Sequence, residues 1–170
     1  MKLFIAQTVD GYIAGDGGTM DHLAPFEGND YGYADHIAGV DAVVMGRTTF
    51  DWLYPKHGWT YPPELPGIVM TSRPLPAGVP SQVAAATDPA AVARRYPNAY
   101  LDGGGETIRA FLEAGLISEA RIFTLPILLG RGVRLFPSGT TTIRRWKLLD
   151  VKTYPCGTVC HRYATTPETA

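Results

Sequence analysis

YLDGGGETIRAFLEAGLISEARIFTLPILLGRGVRLF, residues 100–136, is the stretch that decides the fold class. Ala99–Leu101 is a short apolar strand cut off by three consecutive glycines, Gly103, Gly104 and Gly105. Glu106–Ala114 reads as a helix, with Gly115 a natural stop after its last turn. Arg121–Leu125 reads as the next strand. Strand, glycine turn, helix and strand in this order make the repeating unit of an α/β domain.

Working outward, the same alternation continues. Lys2–Thr8 is a first strand, and VDGYIAGDGGTMDH (residues 9–22) follows as a long irregular loop. Asp30–Val40 forms a helix with Asp30 as its N-cap. Ala42–Met45 is an unbroken apolar run, as in a strand covered on both faces. Thr48–Tyr54 is a short helix, and a proline-rich loop leads to a strand at Ile68–Thr71. Gln82–Ala85 is a short strand. Asp88 precedes a helix that has Pro89 at its first position. Trp146–Tyr154 and Thr158–Ala164 close the chain as an antiparallel hairpin. The expected fold is therefore one α/β domain over residues 1–165, with a mostly parallel mixed sheet and an antiparallel edge. Residues 166–170 are expected to form a frayed tail.

Composition narrows the function. The 170 residues suit one domain, and 45% hydrophobic content is too high for a disordered chain. A net charge of -1 with no basic run argues against nucleic acid. The apolar start breaks at Gln7, Thr8 and Asp10, too early for a secretory signal, and no stretch is long enough to span a bilayer. A cytoplasmic protein is expected. Cys156 and Cys160 lack the CxxC spacing and nearby ligands of a zinc cage, so they read as two buried thiols and no metal is expected.

Three segments that follow strands carry chemistry, because ligands of α/β sheets bind beyond the carboxyl ends of strands. In VVMGRTTF (43–50), Gly46, Arg47, Thr48 and Thr49 open a helix. They offer a phosphate free amides, a guanidinium and hydroxyls, or else form only a glycine turn. In MTSRPLP (70–76), Thr71, Ser72 and Arg73 suit a phosphate monoester such as the 2′-phosphate of NADPH, or else make a turn set by Pro74. In YLDGGGETIRAFL (100–112), Gly103, Gly104 and Gly105 allow close backbone approach to a pyrophosphate, although the GxGxxG fingerprint is absent. A fourth segment, TVDGYIAG (8–15), has the make-up of a loop that closes over a nicotinamide, or else is an ordinary Asp-Gly turn.

The order TVDGYIA, DAVVMGRTTF, VMTSRPLP and GGGETIRAFLEAGLISE…LLGRGVRLF resembles the dihydrofolate-reductase-like superfamily. Within it, the chain is most similar to the branch holding the C-terminal reductase domain of riboflavin biosynthesis. The resemblance runs over residues 2–163. It implies a three-layer fold, a homodimer, and NADPH bound in an extended pose. Carried across, Gly46, Arg47, Thr48 and Thr49 would hold phosphates, with Ser72 and Arg73 at the 2′-phosphate. Gly103, Gly104, Gly105, Glu106 and Thr107 would surround the pyrophosphate, and Ala6 and Ile13 would lie near the nicotinamide. Asp10 matches an acidic loop residue near the substrate in that branch. Asp30 falls near the buried carboxylate of the folate reductases, with Asp35 and Glu27 as other candidates. His22 stands where those enzymes carry tryptophan. The zinc-binding deaminase motifs found fused to many riboflavin-pathway enzymes are absent from this sequence.

The implied activity is hydride transfer from NADPH to a small heterocycle or a ribosylaminopyrimidine. The alternatives are a dihydrofolate or pterin reductase, and a nucleotide-binding protein of the same fold without turnover. A small-molecule substrate is expected, with no nucleic acid and no membrane as partner.

Overall fold

Ala42, Val43, Val44 and Met45 are fully buried. A strand apolar on both sides belongs inside a sheet covered on both faces. The structure, a computed structural model, describes residues 1–137 and 143–165 and places that strand so. The expected tail at 166–170 lies outside the described residues.

The strands are β1 (Lys2–Thr8), β2 (Tyr12–Ala14), β3 (Val43–Gly46), β4 (Gly67–Met70), β5 (Val83–Ala86), β6 (Tyr100–Gly103), β7 (Glu119–Leu125), β8 (Val133–Arg134), β9 (Lys147–Thr153) and β10 (Val159–Ala164). The helices are α1 (Tyr33–Ala38), α2 (Arg47–His57), α3 (Pro89–Arg95) and α4 (Gly105–Glu113). Eight strands form one sheet in the order β5-β4-β3-β6-β1-β7-β10-β9. The first six run parallel; β10 is antiparallel to both β7 and β9. The mixed, mostly parallel α/β sheet and the terminal hairpin are as expected.

This order positions the site. From β3 the chain moves outward to β4 and β5. It then returns through α3 to lay β6 between β3 and β1. Strands β3 and β6 are therefore neighbours, with Val43 opposite Tyr100 and Met45 opposite Gly103. The helices that follow them, α2 and α4, consequently begin side by side. A crevice at such a switch point is where open α/β sheets take their ligands.

Two apolar clusters hold the layers together. Leu3, Val44, Leu101, Ile108, Phe111, Leu112 and Ile122 pack on the α4 face. Val43, Met45, Phe50, Val69 and Tyr100 pack on the α2 face. Asp88 Oδ1 accepts from the Ala90 amide at 2.8 Å, so α3 starts on the expected cap with Pro89 in its first turn.

Several expectations need correction. The loop at 9–22 is partly regular: β2 pairs with β8, and 3₁₀ turns span Asp16–Gly18 and Asp21–Phe26. Asp30 does not cap α1. Its carboxylate accepts from the Gly32 amide at 2.8 Å, and Gly32, in the left-handed region, is the N-cap. Helix α2 runs to His57 through Pro55 rather than stopping at Tyr54. Cys160 is buried, but Cys156 is only half-buried and its sulfur lies 3.4 Å from the Tyr31 hydroxyl. Among the described residues, no helix is long and apolar enough to cross a membrane.

Candidate active site: a cleft at the β3–β6–β1 ends

Helices α2 and α4 both start on a glycine, Gly46 and Gly104, with no side chain capping their first amides. Those amides keep their donors and the positive end of the helix dipole for something else. The two starts are in close contact. A Cβ on Gly46 would collide with Thr107 Oγ1, and one on Gly104 would sit 3.4 Å from Thr49 Oγ1. Gly103 has φ +136°, a backbone conformation that L side chains rarely adopt. The run of glycines is thus required by backbone geometry and by crowding between the two helix starts.

A cleft of about 970 Å³ opens beside these helix starts. Gly46–Thr49 and Gly103–Thr107 line one part of it, with Ala6 and Ile13 also in its walls. The structure therefore brings these sequence-derived residues together. Thr71, Ser72 and Arg73 are not in the walls; they follow the end of β4, beside Arg47. Arg47 donates to Asp51 Oδ1 at 2.6 Å and to the Pro74 carbonyl at 2.9 Å, while Arg73 Nη2 lies 3.5 Å from Asp51 Oδ2. Asp51 is thus shared by two guanidinium groups, and Arg73 is largely exposed.

The two carboxylates expected to be catalytic lie elsewhere. Asp10 accepts from Thr8 Oγ1 at 2.5 Å and from the amides of Leu129 and Gly130 at 3.2 and 2.7 Å. The Thr8 bond, foremost, holds its pKa below the ordinary carboxylate value, aided by those amides. Asp10 is a pin between two loops, with its oxygens already committed. Asp30 is exposed and spends its carboxylate on the turn before α1. Of the other acids considered, Glu27 lines the cleft, and Asp35 is exposed on α1 outside it. His22 is likewise not in the walls.

Asp102 lines the cleft together with Glu27 and Glu106, and it is the acid that the sequence does not single out. It sits on β6 immediately before the glycines, with Tyr61 and Tyr100 beside it. Burial raises its pKa above the ordinary carboxylate value, and the nearby Tyr100 and Tyr61 hydroxyls oppose the rise, the Tyr100 hydroxyl itself donating to the Phe4 carbonyl at 3.3 Å. The usable signal was position: an acid at a strand's carboxyl end, next to a ligand-binding turn. Around it stands an aromatic wall. Phe4 and Phe123 have ring centroids 4.6 Å apart, Tyr31 lies 5.4 Å from Phe123, and Tyr61 lies 6.4 Å from Tyr100.

Behind this wall His36 is 95% buried, with its ring 4.6 Å from Phe4 and 4.8 Å from Tyr100. Among the described residues its Nε2 has no hydrogen-bond partner. Burial, more than the nearby Arg121 and Lys2 charges, lowers its pKa to about 4. The unfolded chain then binds a proton that the folded chain refuses between that value and the ordinary one near 6.5. Stability is complete above about pH 6.5 and falls as pH drops toward 4. We expect a loss of about 2 kcal/mol between pH 7 and pH 5, absent in His36→Phe. Urea unfolding of both proteins at the two pH values checks it.

Residues 90–160 match the family described as RibD C-terminal domain. The chain is 30% identical over 145 residues to the uncharacterized protein YwjB of Bacillus subtilis (strain 168), covering 79% of this chain and 80% of that protein. Its fold is similar to a crystal structure from Shewanella sp. PV-4, provisionally named a riboflavin biosynthesis protein. The TM-score is 0.84 at 29% identity, covering 98% of each chain. It is also similar to a diaminohydroxyphosphoribosylaminopyrimidine deaminase/5-amino-6-(5-phosphoribosylamino)uracil reductase of Thermotoga maritima. There the TM-score is 0.66 at 16% identity, covering 97% of this chain and 56% of that one, so the likeness is one of fold.

Proposed function

The chain belongs to the RibD C-terminal domain family, and from that premise we propose that it is an NADPH-dependent reductase of a small heterocycle. One observation carries this reading: two uncapped, glycine-started helices open side by side on a single cleft. That is a donor set for a diphosphate, which a single helix start would serve less well. Gly46–Thr49 and Gly103–Thr107 would hold the phosphates, and Ala6 and Ile13 would flank the nicotinamide. When bound, NADPH supplies a hydride to an electron-poor carbon, of C=N or C=O type.

The chain's own residues do the rest. The aromatic wall stacks a flat ring and excludes water from it. Asp102, with its pKa raised by burial, can hold a proton at its carboxyl oxygen and hand it to the reduced substrate. The direct test is titration with NADPH, followed through nicotinamide fluorescence, and then NADPH oxidation with pterins and aminopyrimidines. No NADPH binding at millimolar concentration would end the proposal.

Arg73 decides between the two nicotinamide cofactors in this reading. We expect Arg73→Ala to weaken NADPH binding by about 1.5–3 kcal/mol, the scale of a charge-assisted hydrogen bond, and to spare NADH. Equal losses for both cofactors in the same titration would remove Arg73 from the 2′-phosphate.

A further inference from the structure

The aromatic part of the cleft is poor in positive charge. Among the described residues lining the whole cleft, Arg47 is the one Lys, Arg or His. Its guanidinium is already engaged by Asp51 and by the Pro74 carbonyl, at the α2–β4 side. The ionisable acids in the walls are Glu27, Asp102 and Glu106, and of these Asp102 lies among the aromatic rings. The helix start on this side, at α1, gives no relief. Asp30 already accepts from the Gly32 amide there, and Asp35 sits in the first turn. A phosphate monoester brought here would lose water and meet carboxylates, with no guanidinium or ammonium to take its charge.

We infer that this cleft takes a phosphate-free, planar heterocycle that presents an N–H edge to Asp102. Aromatic rings accept the faces of such a ring, and the protonated carboxyl accepts an N–H of its edge at one oxygen while its own O–H meets the neighbouring ring nitrogen. The inference rests on the reductase reading and narrows it. It sets this chain apart from an enzyme whose substrate is held by a phosphoribosyl group.

The test uses a matched pair, 5-amino-6-(ribosylamino)uracil and its 5′-phosphate. Each is titrated calorimetrically into protein saturated with NADP+, which has no hydride to give, after NADPH binding has been measured alone. The expected result is that the phosphate adds no affinity, so its Kd equals or exceeds that of the nucleoside. Glu27→Lys should shift the ratio toward the phosphate form by about tenfold, since it supplies the missing cation at the cleft wall. A wild-type Kd at least about tenfold lower for the phosphate form would overturn the inference. So would binding of neither compound while NADPH binds, an outcome that leaves the cofactor reading standing. Failure of NADPH itself to bind overturns the reductase reading, and this inference with it.

Discussion

Asp102→Asn is expected to lower kcat/KM for the reducible substrate by on the order of 10²–10³-fold, with NADPH affinity nearly unchanged. The two side chains have the same shape, so the cleft keeps its volume. The amide keeps one acceptor oxygen and an N–H donor in place of the acid's O–H, but it cannot give up a proton at neutral pH. The pH profile separates this role from a structural one. With a raised pKa, Asp102 holds its proton at lower pH and loses it as pH rises. Activity that needs the protonated acid therefore declines on the alkaline side, and the Asn variant should lack that limb. Stability should be nearly unchanged, because the amide matches the neutral acid in shape and a protonated carboxyl carries no charge to desolvate. A variant that unfolds more easily, or keeps full activity with the same pH profile, would return Asp102 to the scaffold.

Gly46→Val is expected to reduce NADPH affinity by about 100-fold, close to 3 kcal/mol. The new Cβ overlaps Thr107 Oγ1, which belongs to the opposite helix start. Helices α2 and α4 must separate at their first turns, and the two amide sets no longer aim at one point. Phe50 and Phe111, fully buried on α2 and α4, anchor both helices to the core, so the strain concentrates at the glycine turns. Thr107→Ala in the same protein removes the obstructing hydroxyl and should recover part of the loss. The coupling from such a double-mutant cycle should reach about 1–3 kcal/mol. Additive losses from the two substitutions would mean that the helix starts act independently and that the shared cradle does not exist.

The two acids first expected to be catalytic show where sequence reading stops. Asp10 has the composition of a loop-tip functional residue. Its partners at Leu129 and Gly130 are 119 and 120 positions away, and no local pattern announces them. The β2–β8 pair is invisible for the same reason, since it joins two very short strands from opposite ends of the chain. Asp102 was passed over because its neighbours in sequence are the more conspicuous glycines. Its raised pKa comes from burial, against the lowering effect of Tyr61 and Tyr100, and only the folded chain brings that burial about.

The chain alone determined the strands read at 42–45 and 99–101, which fold as 43–46 and 100–103, the Asp88–Pro89 helix start, the glycine stops and the terminal hairpin. Each of these depends on neighbours within a few positions, where apolar runs, caps and turn residues act directly on the backbone. Only the tertiary structure decided which acids face the cleft, and that among the described residues its walls hold a single cation. A side chain's charge state and task are set by what burial and distant segments bring against it, and the strand order β3-β6-β1 is what brings them.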